Sequence, residues 1–121
     1  MIITPTNGLV FESKLKTLYK KGKIKVEVGL YGGKLTKKNV TDEHLQAKFF
    51  GGKKSFDNIA LATKENNWKR GCEPIENYLT YEMLRNYLKQ FVDVKVEDFD
   101  GNKYILAVRK KIKELINAET D

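Results

Sequence analysis

A chain of 121 residues carries one domain's worth of polypeptide, which excludes an active site set in a cleft between two domains. A single Cys rules out a disulfide framework, and with one His in the whole sequence no Cys/His zinc cluster can be assembled. The formal charge of +7 is one-sided: residues 1–60 hold twelve Lys against five acids, while residues 61–121 hold eleven basic and eleven acidic side chains, so the positive excess of the first half is set to draw polyanions or acidic protein faces.

A hydrophobic share of 40%, a charged share of 32% and only 2 Pro fit a soluble globular domain. No stretch approaches the roughly 18 apolar residues of a membrane span. The first ten residues also lack the charged start and long apolar run of a secretory signal. The expectation is a protein kept in a cytoplasm, without a membrane partner.

In chain order, residues 1–7 read as a loose arm. Over 8–21, Phe11, Leu15, Leu18 and Tyr19 recur at i, i+4, i+7 and i+8 with Lys14, Lys16, Lys20 and Lys21 turned elsewhere, which predicts an amphipathic helix. Thr6 or Asn7 would cap it and Gly22 would stop it. The run 23–31 alternates apolar and polar residues, with Ile24, Val26 and Val28 on one side, and predicts a strand with one wet face. Gly32-Gly33 breaks it, and 34–39 is a polar, basic loop.

Asn39 or Thr41 would then open a short helix. Asp42 and Glu43 suit its positive end, Leu45 and Phe49 share a face, and Gly51-Gly52 ends it. The stretch 53–71 is patterned weakly and fits either a strand near 59–63 or a long surface loop. Pro74 stands where a helix begins, and Leu84, Tyr87, Leu88 and Phe91 mark its face; Ile75, Leu79 and Met83 extend that stripe backward, with Thr80 as the cap of a separate second helix in the alternative.

Val92, Val94 and Val96 alternate with charged residues and predict a second strand, and Asp100-Gly101-Asn102 a turn. Beyond it, 104–108 could return as a hairpin strand. A helix bearing Ile105, Val108, Ile112, Leu115 and Ile116 matches more positions and is preferred, with 117–121 a frayed end. The sum is one α+β domain, a small antiparallel or mixed sheet against about three helices.

Groups for catalysis are sparse. His44 is expected exposed, in the first turn of the short helix, and Cys72 is expected to be a small buried hydrophobe with only Lys69 and Arg70 near it in sequence. A Cys72/His44 dyad would have to form in space. Gly51-Gly52-Lys53-Lys54-Ser55 lacks the first glycine of a phosphate loop and follows a predicted helix. Asp93, Glu97, Asp98 and Asp100 fail the EF-hand spacing and read as a solvated acidic turn. No catalytic residue, cofactor or metal ligand is assigned.

Polyanion binding has more material. Lys20, Lys21, Lys23, Lys34, Lys37, Lys38, Lys53 and Lys54 are the candidate contacts, with Lys25 and Lys48 adding charge. Tyr31, Phe49, Phe50 and Trp68 would stack bases if exposed, although Phe49 and Phe50 are expected in the core. Little Arg is available for base readout.

The order of elements carries a resemblance. A helix, the strand Lys25-Val26-Glu27-Val28-Gly29-Leu30-Tyr31, a short helix ending in Phe49-Phe50-Gly51-Gly52, a Pro-started helix and a last helix containing Val108-Arg109-Lys110-Lys111-Ile112 together resemble the small neck and tail-completion proteins of long-tailed bacteriophages. The likeness spans roughly residues 8–116. It departs at Ala47-Lys48-Phe49-Phe50-Gly51, where the family usually has His-Glu-Phe-Gly, and only Pro74 stands from the family's Pro-Arg-Pro-Phe segment. The resemblance implies a non-enzymatic virion protein, assembled in the bacterial host cytoplasm. It would form a ring with copies of itself at the head-tail junction or tail end, beside other neck or tail proteins and passing DNA. The alternative is a small basic phage- or plasmid-encoded protein that binds nucleic acid or inhibits a nucleic-acid-handling protein.

Overall fold

At the centre of the molecule lies a five-residue strand with no polar face. The structure, a computed structural model, describes residues 14–120. Strand β2, Ile59–Thr63, is buried along its whole length and pairs antiparallel with β1, Val40–His44, in the register Val40 to Thr63 through His44 to Ile59. Ala60 and Ala62 make β2 thin enough for the chain to pass close by, and a Cβ on Gly29 would stand 3.1 Å from the Ala62 backbone.

The outer edge of β2 would be left with bare amides and carbonyls, which cost free energy when buried. Three groups cover it instead of a third strand. The Leu30 N–H donates to the Leu61 carbonyl (2.9 Å). The Leu61 N–H donates to the Tyr87 hydroxyl (2.9 Å). The Tyr104 hydroxyl, 2.9 Å from that of Tyr87, donates to the Ile59 carbonyl (2.7 Å).

Among the described residues, five α-helices accompany this pair. Helix α1 spans Leu15–Lys20 and buries Leu15 and Leu18 against both strands; the start and cap expected for it lie outside the described residues. Helix α2, Lys64–Arg70, follows β2 directly, with the Thr63 hydroxyl accepting from the Asn66 amide. Helices α3 (Ile75–Tyr78) and α4 (Tyr81–Leu88) are separate, Thr80 capping the second, so the Thr80 alternative holds. A 3₁₀ turn, Lys89–Phe91, and a hairpin of β3 (Lys95–Val96) with β4 (Phe99–Asp100) lead into α5, Gly101–Thr120. The α+β class is as the sequence predicts, with two separate two-stranded antiparallel sheets.

Four local expectations are corrected. The run 23–31 keeps its alternation, with Ile24 and Val26 buried and Lys23, Lys25 and Glu27 exposed, but it has only an isolated bridge between Val28 and Lys34. The Gln90 amide takes the place of a neighbouring strand, its oxygen accepting from the Glu27 and Val28 N–H groups and its nitrogen donating to the Val28 carbonyl. Period two reports which face is buried, and here no ladder follows from it.

The helix expected to open at Asn39 or Thr41 is β1, because pairing with a fully buried strand outweighs the helix-start preference of Asp42 and Glu43. Only Lys48–Phe50 turns helically, as a 3₁₀ turn ending at Gly51. The stretch 53–71 resolves into a strand and an unforeseen helix, although Thr63 with Glu65 in the first turn was a legible start signal.

Asp100-Gly101-Asn102 is a helix start, the Asp100 carboxylate accepting from the Lys103 amide (3.1 Å). The turn lies at Glu97 and Asp98, with Glu97 at φ 50. A Cβ on Gly101 would fall on the Phe91 carbonyl, which is why glycine stands there. The backbone of α5 is helical through Thr120, across most of the stretch expected to fray.

Candidate functional site

The buried side chains of Arg70, Asn58, Tyr87 and Tyr104 are used to hold the fold, while Asp42 Oδ1 and Glu43 Oε2 are buried without a hydrogen-bond partner among the described residues. Arg70, at the last turn of α2, is 3% exposed and donates to the carbonyls of His44, Leu45 (2.8 Å) and Glu73 (2.8 Å) and to the Tyr31 hydroxyl (3.2 Å). The Glu43 carboxylate lies 3.4 Å from the same guanidinium. One arginine thereby ties the end of β1, the turn after α2 and the 23–31 segment into a single point.

Burial raises the Glu43 carboxyl above its ordinary 4.5, outweighing the opposing pull of the Tyr31 hydroxyl and Arg70. Burial likewise raises Tyr31, with the Glu43 charge adding to it. Tyr87 and Tyr104 are raised by burial as well. Tyr31, Tyr87 and Tyr104 act as hydrogen-bond fixtures.

His44 is in strand β1 and half-buried, not in an exposed helical turn. Desolvation lowers its pKa, opposed by Asp42 and reinforced by Lys48, Lys54 and Arg70. Cys72 is exposed, contrary to the expectation of a buried thiol, because it follows the Gly71 stop of α2 where the chain turns outward. It lines a groove of about 250 Å³ with Phe50, Ile75 and Leu115, and His44 is not part of that lining. Among the described residues no three His, Cys, Asp or Glu side chains stand close enough to hold a metal ion, and no helix is long and apolar enough to cross a membrane. At Gly52, a Cβ would fall on the Gln46 carbonyl, so the Gly51-Gly52 pair serves a close backbone crossing.

The eight candidate lysines are all exposed, but they are not one patch of free charge. Lys23 pairs with Glu97 (3.7 Å) and Lys54 with Asp42 (3.3 Å). Lys20, Lys21, Lys34, Lys37, Lys38 and Lys53 are in no ion pair among the described residues. A broad depression of about 850 Å³ gathers Lys25, Lys34 and Lys37 around Tyr19 and Val28, with Glu27 among them. The acidic turn is likewise neutralised locally, Asp98 by Lys14 and Asp100 by Lys95.

Phe49 and Phe50 reverse the expectation of a core position. Tyr31 is buried in the Arg70 network, whereas Phe49 and Phe50 are 78% and 58% exposed and Trp68 is 85% exposed. Phe49 and Phe50 meet edge to face at 5.0 Å on the 3₁₀ turn beyond β1. Trp68 lies on α2, whose last residue, Arg70, reaches the His44 and Leu45 carbonyls. Each of the three residues presents a large ring to water.

A second feature went unread in the sequence. Arg85 on α4 and Arg109 and Lys113 on α5 line one groove; counting charge by halves hid them, because the second half sums to zero. The signal was present as Arg109 and Lys113 four residues apart, beside Ile112 and Ile116 at the same spacing.

Comparison with protein-family models, with curated proteins and with solved structures finds no match for this chain.

Proposed function

We propose that this protein is a non-enzymatic structural subunit that assembles with copies of itself. In the setting its resemblance implies, that assembly is a ring at the neck or tail-completion position of a phage virion, alongside other neck or tail proteins and the DNA channel. The observation that carries the reading is the exposure of Phe49, Phe50 and Trp68. Apolar area of this kind is stabilised by burial at roughly 25 cal/mol per Å², and a partner surface is the means of burying it. A ring needs two unlike faces on each subunit. The exposed Phe49 and Phe50 beyond β1 mark one, and the depression beside Lys34 and Lys37, which carries Tyr19 and Val28 as well as lysines, is a second.

The test is the mass distribution of the purified protein across a concentration series, by mass photometry and light scattering. The expected result is an oligomer above the monomer mass that Phe49→Ser with Trp68→Ser dissolves into folded monomers. A monomer at every concentration, in the presence of virion neck and tail proteins as well, would overturn it.

The six unpaired lysines favour a second reading, contact with nucleic acid. Duplex DNA binding followed by anisotropy would then weaken by an order of magnitude or more between about 50 and 200 mM salt as phosphate counterions are released.

A further inference from the structure

The groove between α4 and α5 has a composition that neither self-assembly nor the basic first half uses. Tyr87 meets Tyr104 in the core, while Tyr81, earlier on α4, and Ile116, later on α5, line the same groove, so the two helices lie side by side in opposite directions. The space between them is about 290 Å³, a size suited to protein side chains and at the small end for a cofactor.

Its apolar part comes from Ile112, which is buried, Leu84, which is partly buried, and Ile116. Around this strip stand the exposed cations Arg85, Arg109 and Lys113, and among the described residues no acidic side chain lines the groove. None of the three is in an ion pair among the described residues. Arg109 and Lys113 are one turn apart on the same helix, an arrangement of like charges that is destabilising. An anion seated between them relieves that cost.

Charge and shape together select the occupant. A nucleic acid strand would be held by stacked bases, yet Tyr81, the one ring lining the groove among the described residues, already has the Arg85 guanidinium over it at 5.7 Å, and the remaining strip is aliphatic. An acidic amphipathic peptide satisfies both halves, its carboxylates meeting the three cations and its aliphatic side chains covering the strip, in the manner of a helix laid in a groove. We propose that the α4–α5 groove is a docking site for an acidic peptide segment of a partner protein, anchored by aliphatic side chains on Leu84, Ile112 and Ile116 and by carboxylates on Arg85, Arg109 and Lys113.

The site is separate from Phe49, Phe50 and Trp68, so the two readings fail independently. The experiment is selection of random peptides displayed on phage against the immobilised full chain, with counter-selection on Arg109→Glu/Lys113→Glu, whose exposed positions leave the fold intact by circular dichroism. Enriched peptides should carry Asp or Glu around Leu, Ile or Phe. As synthetic peptides they should lose at least about tenfold in affinity, about 1.4 kcal/mol, toward the charge-reversed variant, and a similar factor when their aliphatic residues are changed to Ser. No enrichment over the variant, or enrichment without acidic residues, would overturn the proposal. So would equal competition by a dT oligonucleotide, which assigns the groove to nucleic acid, or a dimer lost in the variant, which assigns it to a second copy. Mass photometry of Arg109→Glu/Lys113→Glu should show the parent's assembly state unchanged.

Discussion

Two sets of aromatic residues divide this molecule. Tyr87, Phe91, Phe99 and Tyr104 are buried together, Phe91 and Tyr104 at 4.9 Å and Tyr87 and Phe91 at 5.0 Å between ring centroids. Phe49, Phe50 and Trp68 face water. The residue types are the same, and the difference is what the backbone around them needs. The first set closes the outer edge of β2, where the two hydroxyls stand in for a missing strand and the rings fill the space behind them. The second set is carried by a 3₁₀ turn and a short helix whose hydrogen bonds are already complete, so nothing inside the fold calls for these rings.

If that division is right, the largest loss of stability comes from the inner set. Phe91→Ala should lower unfolding free energy by about 3–5 kcal/mol, as removal of a buried aromatic does, measured by urea titration. Arg70→Ala should cost about 3–5 kcal/mol, because it orphans three carbonyls and leaves Glu43 buried beside no cation. Tyr87→Phe keeps the ring and removes the hydroxyl. It should cost about 1–3 kcal/mol through the unsatisfied Leu61 amide, and a cost near zero would show that the edge of β2 is not held as described.

A smaller, pH-dependent effect sharpens the picture of the Arg70 network. The folded protein holds the Glu43 proton more tightly than the unfolded chain, so the stability that this group contributes is present below about 4.5 and is lost as pH rises through its raised value. Glu43→Gln cannot titrate. Its melting temperature relative to the parent should therefore shift in the variant's favour as pH rises from 4 toward neutrality, and an opposite trend would mean that the Arg70 charge outweighs burial. The smallest stability change belongs to the outer set: Trp68→Ser should stay within about 0.5 kcal/mol of the parent while the oligomer population falls.

The helices with strong periodic stripes were legible from the residues. Leu15 and Leu18 on α1, Tyr87, Leu88 and Phe91 on α4 and the turn after it, and Val108 and Ile112 on α5 are buried as their spacing predicts, with Leu84 partly buried. So were the punctuation at Gly32-Gly33 and Gly51 and the cap at Thr80. The candidate surface was half legible. The lysines are exposed as expected, but Lys23 and Lys54 are spent on Glu97 and Asp42, partners distant in sequence. Phe49 and Phe50 read as core residues in the sequence because apolar type speaks only for solubility, whereas burial depends on what lies opposite.

Period and composition speak for contacts within a few residues, and over that range they set the helices with strong apolar stripes, the α+β class and the placement of positive charge in the first half. The identity of β1, the Gln90 amide holding residues 27 and 28, Arg70 gathering three carbonyls, and the cationic groove between α4 and α5 all join residues far apart along the chain. Such contacts become favourable only when the whole core closes, since the entropy of bringing their ends together is offset by many contacts forming at once. No local window of the chain contains that sum.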